Sequence, residues 1–266
     1  MEPAPDAVLT VAALGVRIRL EAHGSALAAA VAEAWTDATV PDDGTETAGT
    51  LSVRLDDPST PAATGDAVSG RDVAETLHLL SPAVTHRAIA ARAGELVMLH
   101  AAALADPATG ATAVLVAPSG TGKTTASRTL GQHFAYLSDE TAGITSDGTV
   151  LTYRKPLSLI EGSRTKTQRS PSSLGMLLAD VPCHLAAVLL VARDPDHVGE
   201  PAVEKLPTVE ALAALAPETS YLNRLPQPLQ RLADLCHRVG GVRRVTYREA
   251  DDLAPHLHDV LTEADR

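Results

Sequence analysis

The sequence predicts an α/β protein with a mixed sheet, preceded by a small α+β unit. Residues 95–266 carry several apolar runs typical of buried strands, separated by helical patterns. Residues 1–94 carry only short alternating strands, helical patterns and loops rich in Pro, Asp, Gly and Thr. A glycine-rich turn from strand to helix at residues 117–124 lies inside the longer segment. We therefore expect two domains, residues 1–94 and residues 95–266.

The composition restricts the classes of partner. The formal net charge of -11 repels nucleic acids and anionic lipids, and aromatic residues at 2% are too few for base-stacking surfaces. No run approaches the roughly 18 apolar residues of a membrane span, and the N-terminus lacks the basic start of a secretory signal. Cys183 and Cys236 have no metal or redox spacing, so we expect buried thiols. These features predict a cytoplasmic protein without nucleic-acid or membrane partners.

The first unit shows strand, helix and ambiguous patterns. They lie at residues 16–21 (VRIRLE, strand), 25–35 (SALAAAVAEAW, helix), 50–55 (TLSVRL, strand) and 71–80 (RDVAETLHLL, strand or helix). Ser25 is the expected N-cap of the helix that it opens. Residues 81–94 predict a second helix, with Ser81 at the N-cap, Pro82 in the first turn and Gly94 after the end.

The second unit is expected to alternate buried strands with helices. Strands are predicted at residues 95–106, 111–117, 134–138, 185–192 and 242–247, and helices at 124–130, 208–216, 228–241 and 249–264. Residues 143–153 predict a hairpin around Asp147 and Gly148, followed by a basic loop. An acidic pair ends strand 134–138, the very next strand after the glycine-rich turn, so we expect this strand to lie beside the strand that precedes the turn.

The glycine-rich turn matches the phosphate-binding pattern G-x4-G-K-[ST], with Ala117 in place of the first glycine. Glycines let the backbone approach phosphate oxygens, and the amide groups at the start of the following helix bind the anion. Lys123 is placed to reach the β- and γ-phosphates, and Thr124 to offer a hydroxyl to Mg²⁺. The predicted nucleotide-binding residues are Ser119, Gly120, Thr121, Gly122, Lys123, Thr124 and Thr125. The alternative, a turn with an incidental lysine, is disfavoured because strand, helix and threonine all agree. We predict ATP and Mg²⁺ as cofactors.

An acidic pair, Asp139 and Glu140, follows on the very next strand. Such a pair can simply end a strand at the surface, but its position behind the phosphate loop favours a functional site. His100 lies upstream, in the apolar segment LVMLHAAAL. It is either a core histidine bonded to the backbone or a member of the same site.

Four segments together resemble the C-terminal domain of HPr kinase/phosphorylase, a family that shares its phosphate-loop fold with phosphoenolpyruvate carboxykinase. They are LHAAAL, APSGTGKTT, YLSDETAGI and YRKPLSL, and the resemblance covers residues 95–160 well and the rest to Tyr247 loosely. It implies that Asp139 is the catalytic base, that Glu140 and Asp139 contact the metal with Thr124, and that His100 and Lys123 lie at the transferred phosphoryl group.

Residues 154–169 form a basic segment in an acidic chain. A charge run is often only a solvated face, but its place after the acidic strand suggests a lid or a clamp on the nucleotide. Arg154 and Lys155 lie in the segment that resembles the family, and we predict that they bind the nucleotide. The Arg-containing signature of true HPr enzymes and their N-terminal domain are not recognisable, so phosphorylase activity, a hexamer and HPr as substrate are not expected.

The predicted function is an ATP- and Mg²⁺-dependent kinase that phosphorylates a hydroxyl, on a Ser or Thr of a peptide or protein or on a small molecule. The alternative is an ATP-gated binding module with negligible turnover, which needs no base at Asp139. An ABC- or motor-type ATPase is disfavoured because no LSGGQ-like segment is present and the acidic pair comes early. The acceptor, the oligomeric state and the role of the N-terminal unit stay open.

Overall fold

A computed structural model describes residues 4–56, 66–118, 122–160 and 166–264. The chain divides into two compact units, Met1–Ala91 with Tyr153–Leu174, and Arg92–Thr152 with Gly175–Arg266. The first boundary lies close to the one expected at residue 94. Tyr153–Leu174, which the sequence analysis placed in the second domain, instead belongs to the first unit, because its strands pack against a helix of that unit.

The described residues form strands and helices in the following chain order. They are β1 (Ala7–Ala13), β2 (Val16–Ala22), α1 (Ser25–Ala34), β3 (Thr39–Val40), β4 (Thr50–Leu55), β5 (Ala67–Gly70), α2 (Val73–Ala91), β6 (Val97–Leu99), β7 (Ala101–Ala105), β8 (Ala111–Val116), α3 (Lys123–Leu130), β9 (Ala135–Ser138), β10 (Ala142–Ile144), β11 (Val150–Leu151), β12 (Leu157–Ile160), β13 (Lys166–Arg169), β14 (His184–Arg193), β15 (Ala202–Lys205), α4 (Thr208–Leu215), β16 (Thr219–Ser220), α5 (Pro228–Arg238), β17 (Arg243–Tyr247) and α6 (Leu253–Ala264). Short 3₁₀ helices lie at Thr36–Ala38, Ser172–Leu174, Leu222–Arg224 and Ala250–Asp252.

The first unit is built on a sheet with strand order β3-β1-β2-β4-β5. Strand β1 is antiparallel to β2 and β3, whereas β2, β4 and β5 run parallel to one another. Helix α2 packs on this sheet and also contacts β13 of the antiparallel pair β12–β13. The strands expected at residues 16–21 and 50–55 are confirmed as β2 and β4, and the basic segment expected to be a loop contains β12 and β13 instead.

Two expected helix starts in the first unit are wrong. Ser25 is the first residue of α1 rather than its N-cap, which is Gly24 without a side-chain capping bond. Ser81 is internal to α2, because that helix continues through Pro82. Proline removes one helical hydrogen bond, but the apolar residues on both sides of it share one buried face. These residues are Leu77, Leu80, Val84 and Ala88.

The second unit contains a mixed sheet with strand order β15-β17-β14-β8-β7-β9. Strands β8, β14 and β17 are parallel, and the other neighbouring pairs are antiparallel. The expectation that β9 lies beside β8 is wrong. A tight turn pairs β7 with β8, so β7 occupies the position beside β8 that was expected for β9. Strand β9 is antiparallel to β7 and so runs in the direction of β8. Both strands therefore end at the same edge of the sheet.

A second, antiparallel sheet of this unit has strand order β11-β10-β6-β16. The single strand expected at residues 95–106 is in fact β6 and β7, which belong to different sheets and are separated by His100. In the same way, residues 139–141 separate β9 from β10. The hydrophobic pattern missed the first switch because residues on both sides of His100 are buried. The hairpin around Gly148, whose φ is 95°, is confirmed as β10 and β11.

Candidate active site

A strand precedes and a helix follows the glycine-rich segment, as the sequence predicted. Strand β8 ends at Val116 and helix α3 begins at Lys123, while Ser119, Gly120 and Thr121 lie outside the described residues. Gly122 is the N-cap of α3, with a φ of 92°. Apart from Gly122 itself, its chain neighbours and the backbone of its own helix, no atom of the described residues lies within 4 Å of the place where a β-carbon would stand. The left-handed backbone, rather than lack of space, therefore favours glycine here.

The side chain of Lys123 lies between backbone oxygens and carboxylates. Its Nζ donates to the carbonyl oxygens of Ala117 and, at 3.1 Å, Pro118. Burial lowers the pKa of Lys123 below its ordinary value. The negative charges of Glu218, Asp139 and Glu140 oppose the decrease, and Glu218 has the largest effect of the three. The ammonium group is therefore close to the loop and to a set of acidic side chains that favours its charged form.

Asp139 joins the end of β9 to the first turn of α3. Its Oδ2 accepts a hydrogen bond from Thr124 Oγ1 at 2.8 Å, and its Oδ1 accepts one from the hydroxyl of Tyr136 at 2.9 Å. Asp139 is only 5% exposed, and Tyr136 is fully buried. These two donors fix the carboxylate beside the threonine that the sequence pattern assigns to Mg²⁺.

Oxygen ligands of this kind suit Mg²⁺ better than a softer metal. The described residues contain no group of three or more His, Cys, Asp or Glu side chains that could hold a metal by themselves. Mg²⁺ usually takes only one or two protein carboxylates and completes its coordination with phosphate oxygens and water. The pair formed by Thr124 and Asp139 is consistent with that requirement.

His100 lies where the chain passes from one sheet to the other, beside the acidic pair. Leu99 pairs with Ala142 on one side of this crossing, and the amide of Ala101 donates to the Glu140 carbonyl at 3.1 Å. Burial lowers the pKa of His100, and the positive charge of Lys123 lowers it further. The charges of Glu218 and Glu140 and a hydrogen bond of the ring to the backbone of Glu140 oppose this decrease. The imidazole is therefore within electrostatic range of the lysine and of both carboxylates.

A cavity of about 690 Å³ adjoins the start of α3. Gly122, Thr125 and Thr129 line it from the helix side, and Val191 and Tyr247 line it from the ends of the parallel strands β14 and β17. Open α/β sheets bind ligands at the carboxyl ends of their parallel strands. An ion pair between Arg193 Nη2 and Glu249 Oε1, at 3.0 Å, lies on the same wall.

The structure brings together five of the site residues predicted in the second unit, and two further side chains that the sequence analysis missed lie beside them. The predicted residues are His100, Lys123, Thr124, Asp139 and Glu140, with the exposed Thr125 at the neighbouring cavity. The missed residues are Tyr136, which lies in the quoted YLSDE segment but matches no motif, and Glu218, which lies far along the chain and carries no local signal.

Arg154 and Lys155 belong to the first unit. Lys155 is only 4% exposed, and its Nζ donates to the carbonyl oxygen of Pro156 at 3.1 Å. A contact of these two residues with a nucleotide stays a prediction. Cys183 and Cys236 are buried thiols that are not joined in a disulfide, as expected.

Comparisons with known proteins gave matches to solved structures only. No family model and no curated protein matches the sequence. The structure is similar to that of the Hpr(Ser) kinase/phosphatase from Coxiella burnetii, with a TM-score of 0.32 and 9% sequence identity, over 62% of this chain and 98% of that chain. Within the described part of the chain, no helix has the length and apolar character needed to cross a membrane.

Proposed function

We propose that this protein is an ATP- and Mg²⁺-dependent kinase that transfers a phosphoryl group to a hydroxyl. The observation that carries the proposal is the 2.8 Å hydrogen bond between Thr124 Oγ1 and Asp139 Oδ2. It joins the helix after a phosphate-binding pattern to a carboxylate, with Lys123 and His100 close by. Phosphoryl transfer needs little covalent chemistry and depends mainly on positioning and on charge stabilisation, which these residue types supply.

Each residue has a distinct part in the proposed reaction. Thr124 and Asp139 would hold Mg²⁺, which supplies positive charge to the phosphate oxygens when it is bound. Lys123 would leave the carbonyl groups of Ala117 and Pro118 and bind the β- and γ-phosphates. His100 would contact the phosphoryl group in transfer. A carboxylate of the acidic pair, Asp139 or Glu140, would accept the proton of the acceptor hydroxyl.

The cavity beside α3 is the proposed place of the nucleoside. Its volume of about 690 Å³ is in the range typical of small-molecule sites. It begins at Gly122 and Thr125, so a triphosphate bound at the start of the helix would extend directly into it. The proposal therefore requires ATP to bind more tightly than inorganic triphosphate, which lacks a group to fill the cavity.

An ATP-gated binding module with negligible turnover is the second candidate, and one observation favours it. Both oxygens of Asp139 accept hydrogen bonds and the residue is almost fully buried. This arrangement suits a residue that organises a metal more than a base that must reach an acceptor. In a kinase, Tyr136 would have to release one oxygen of Asp139, or Glu140 would have to act as the base.

Thermal stabilisation by ATP·Mg²⁺ tests nucleotide binding. At a ligand concentration about 100 times Kd the folded protein gains about 2.7 kcal/mol, which corresponds to a rise in Tm of roughly 5–10 °C for a unit of this size. Lys123→Ala should abolish the rise. Lys205→Ala, which removes an exposed lysine of β15 in the same unit, should keep it. An equal rise for all three proteins would contradict nucleotide binding at this loop.

A further inference from the structure

Glu218 lies directly opposite His100. Strand β16 is antiparallel to β6 and pairs Thr219 with Leu99, so the next step of the register places Glu218 across from His100. The amide of His100 donates to the carbonyl oxygen of Glu218 at 2.7 Å, which confirms this alignment. Directly opposite residues of an antiparallel pair project their side chains to the same face, about 4.5–5.5 Å apart at the β-carbons. Glu218 and His100 each lie one residue outside these strands, and their backbone hydrogen bond extends the pairing, so their side chains start from neighbouring positions.

The same carboxylate acts on the lysine of the phosphate loop. Burial lowers the pKa of Lys123, and among the charges that oppose this decrease Glu218 has the largest effect, ahead of Asp139 and Glu140. Glu218 also opposes the lowering of the His100 pKa that burial and Lys123 cause. Glu218 is half-buried, so water screens these interactions only in part. It lies just before β16, whereas Asp139 and Glu140 lie just after β9.

We propose that Glu218 is a positioning residue of the phosphoryl-transfer site, whose carboxylate holds the His100 imidazole in the orientation that faces the transferred phosphoryl group. The inference rests on the proposed function. Glu140 lies just before β10 and Glu218 just before β16, the two strands that neighbour β6, and their backbone carbonyls accept from the amides of Ala101 and His100. The two glutamates therefore lie on either side of His100. Carboxylates commonly orient functional imidazoles in this way, and loss of such a partner typically lowers activity about 10–100-fold.

A purely structural role of Glu218 would need only its backbone carbonyl, which every residue possesses. Glu218→Gln keeps the backbone and the shape and removes the charge, so it separates the two roles. Glu218→Asp keeps the charge and should restore part of the lost activity. Glu210→Gln is the matched control, because Glu210 is an exposed residue on α4 of the same unit.

NMR of protein labelled with ¹⁵N in its histidines tests the orientation without requiring turnover. The ring signals of His100 are assigned by their loss in His100→Gln. Glu218→Gln should shift these signals and leave those of the other histidines in place, whereas Glu210→Gln should shift none. Unchanged His100 signals in Glu218→Gln would overturn the proposal. Loss of the other histidine signals in Glu218→Gln would indicate that this variant misfolds. In that case Glu218→Asp decides the question. His100 signals at their wild-type positions in Glu218→Asp would support the proposal, and shifted signals would contradict it.

Phosphate release from ATP·Mg²⁺ gives the kinetic test. Glu218→Gln should lower kcat about 10–100-fold and change KM for ATP less than about threefold. In a His100→Gln background the same change should have almost no further effect, because residues that act as a unit are not additive. An equal loss in both backgrounds would contradict positioning through His100. A wild-type protein without ATP binding would contradict the proposed function instead, and the NMR result would still decide the role of Glu218.

Discussion

Tyr136→Phe is the sharpest structural test of the Asp139 site. The ring of Tyr136 is fully buried, and phenylalanine keeps its packing while it removes the hydroxyl that donates to Asp139 Oδ1 at 2.9 Å. A hydrogen bond to a charged group contributes about 1.5–3 kcal/mol to stability. Asp139 is 5% exposed, so little water can replace the lost donor. We therefore expect the free energy of unfolding to fall by about 1.5–3 kcal/mol.

Tyr153→Phe is the matched control. Tyr153 is also fully buried, but its hydroxyl shares a hydrogen bond of 2.8 Å with the neutral hydroxyl of Thr85. A neutral bond contributes only about 0.5–1.5 kcal/mol, so this change should cost less than Tyr136→Phe.

Differential scanning calorimetry and ATP titration together measure both effects. Tyr136→Phe should also weaken ATP·Mg²⁺ binding, by no more than the few-fold change expected for Asp139→Asn, because Asp139 is held less firmly beside Thr124. Tyr153→Phe should leave ATP·Mg²⁺ binding unchanged. The reasoning is refuted if Tyr136→Phe costs no more stability than Tyr153→Phe, or if both variants respond equally to ATP.

Two further predictions concern the loop glycine and the histidine. Gly122→Ala places a side chain at a φ of 92° with open space around it, so the left-handed backbone alone should cost about 1–2 kcal/mol. Gly199 has the same φ and equally open space, so Gly199→Ala should lower the free energy of unfolding by the same amount. Only Gly122→Ala should weaken ATP binding. Equal ATP binding by the two variants would contradict a role of Gly122 in the phosphate site. The pKa of His100 should lie below its ordinary value of about 6.5, because burial and then Lys123 disfavour its charged form. The unfolded chain then binds a proton at His100 more readily than the folded protein does. The whole contribution of His100 to stability is therefore present above about pH 6.5, and it is lost as the pH falls through the lowered pKa. An NMR titration of His100 with a midpoint at or above 6.5 would contradict this assignment.

Local patterns in the sequence were sufficient to predict much of the second unit. The glycine-rich turn, the helix after it and the acidic pair are each recognisable from a few consecutive residues. Hydrophobic runs predicted β8, β9 and β14. The two sheets could not be predicted in this way. The segment around His100 is apolar on both sides, so nothing in its periodicity marks the point where the chain passes from one sheet to the other.

The remaining site residues depend on tertiary pairing. Glu218 reaches His100 only because β16 pairs with β6, across more than a hundred residues of intervening chain. Strand β9 was expected beside β8, but β7 lies between them because a tight turn outcompetes the longer connection through α3. Helix α2 continues through Pro82 because a continuous buried face offsets a lost hydrogen bond. Packing or pairing between distant residues decided the first and third outcomes, and a short turn decided the second.

Phosphate transfer from labelled ATP, onto proteins encoded by neighbouring genes and onto free serine, tests the central claim most directly. The wild-type protein should label one acceptor in the presence of Mg²⁺. Asp139→Asn should bind ATP within a few-fold of wild type but transfer phosphate about 10²–10⁴-fold more slowly, as expected for a lost base. Because Glu140 lies beside it, the double variant with Glu140→Gln should show the full loss. Transfer by the double variant at a rate near wild type would contradict the account, and ATP binding by wild type without any transfer would favour the binding module over the kinase.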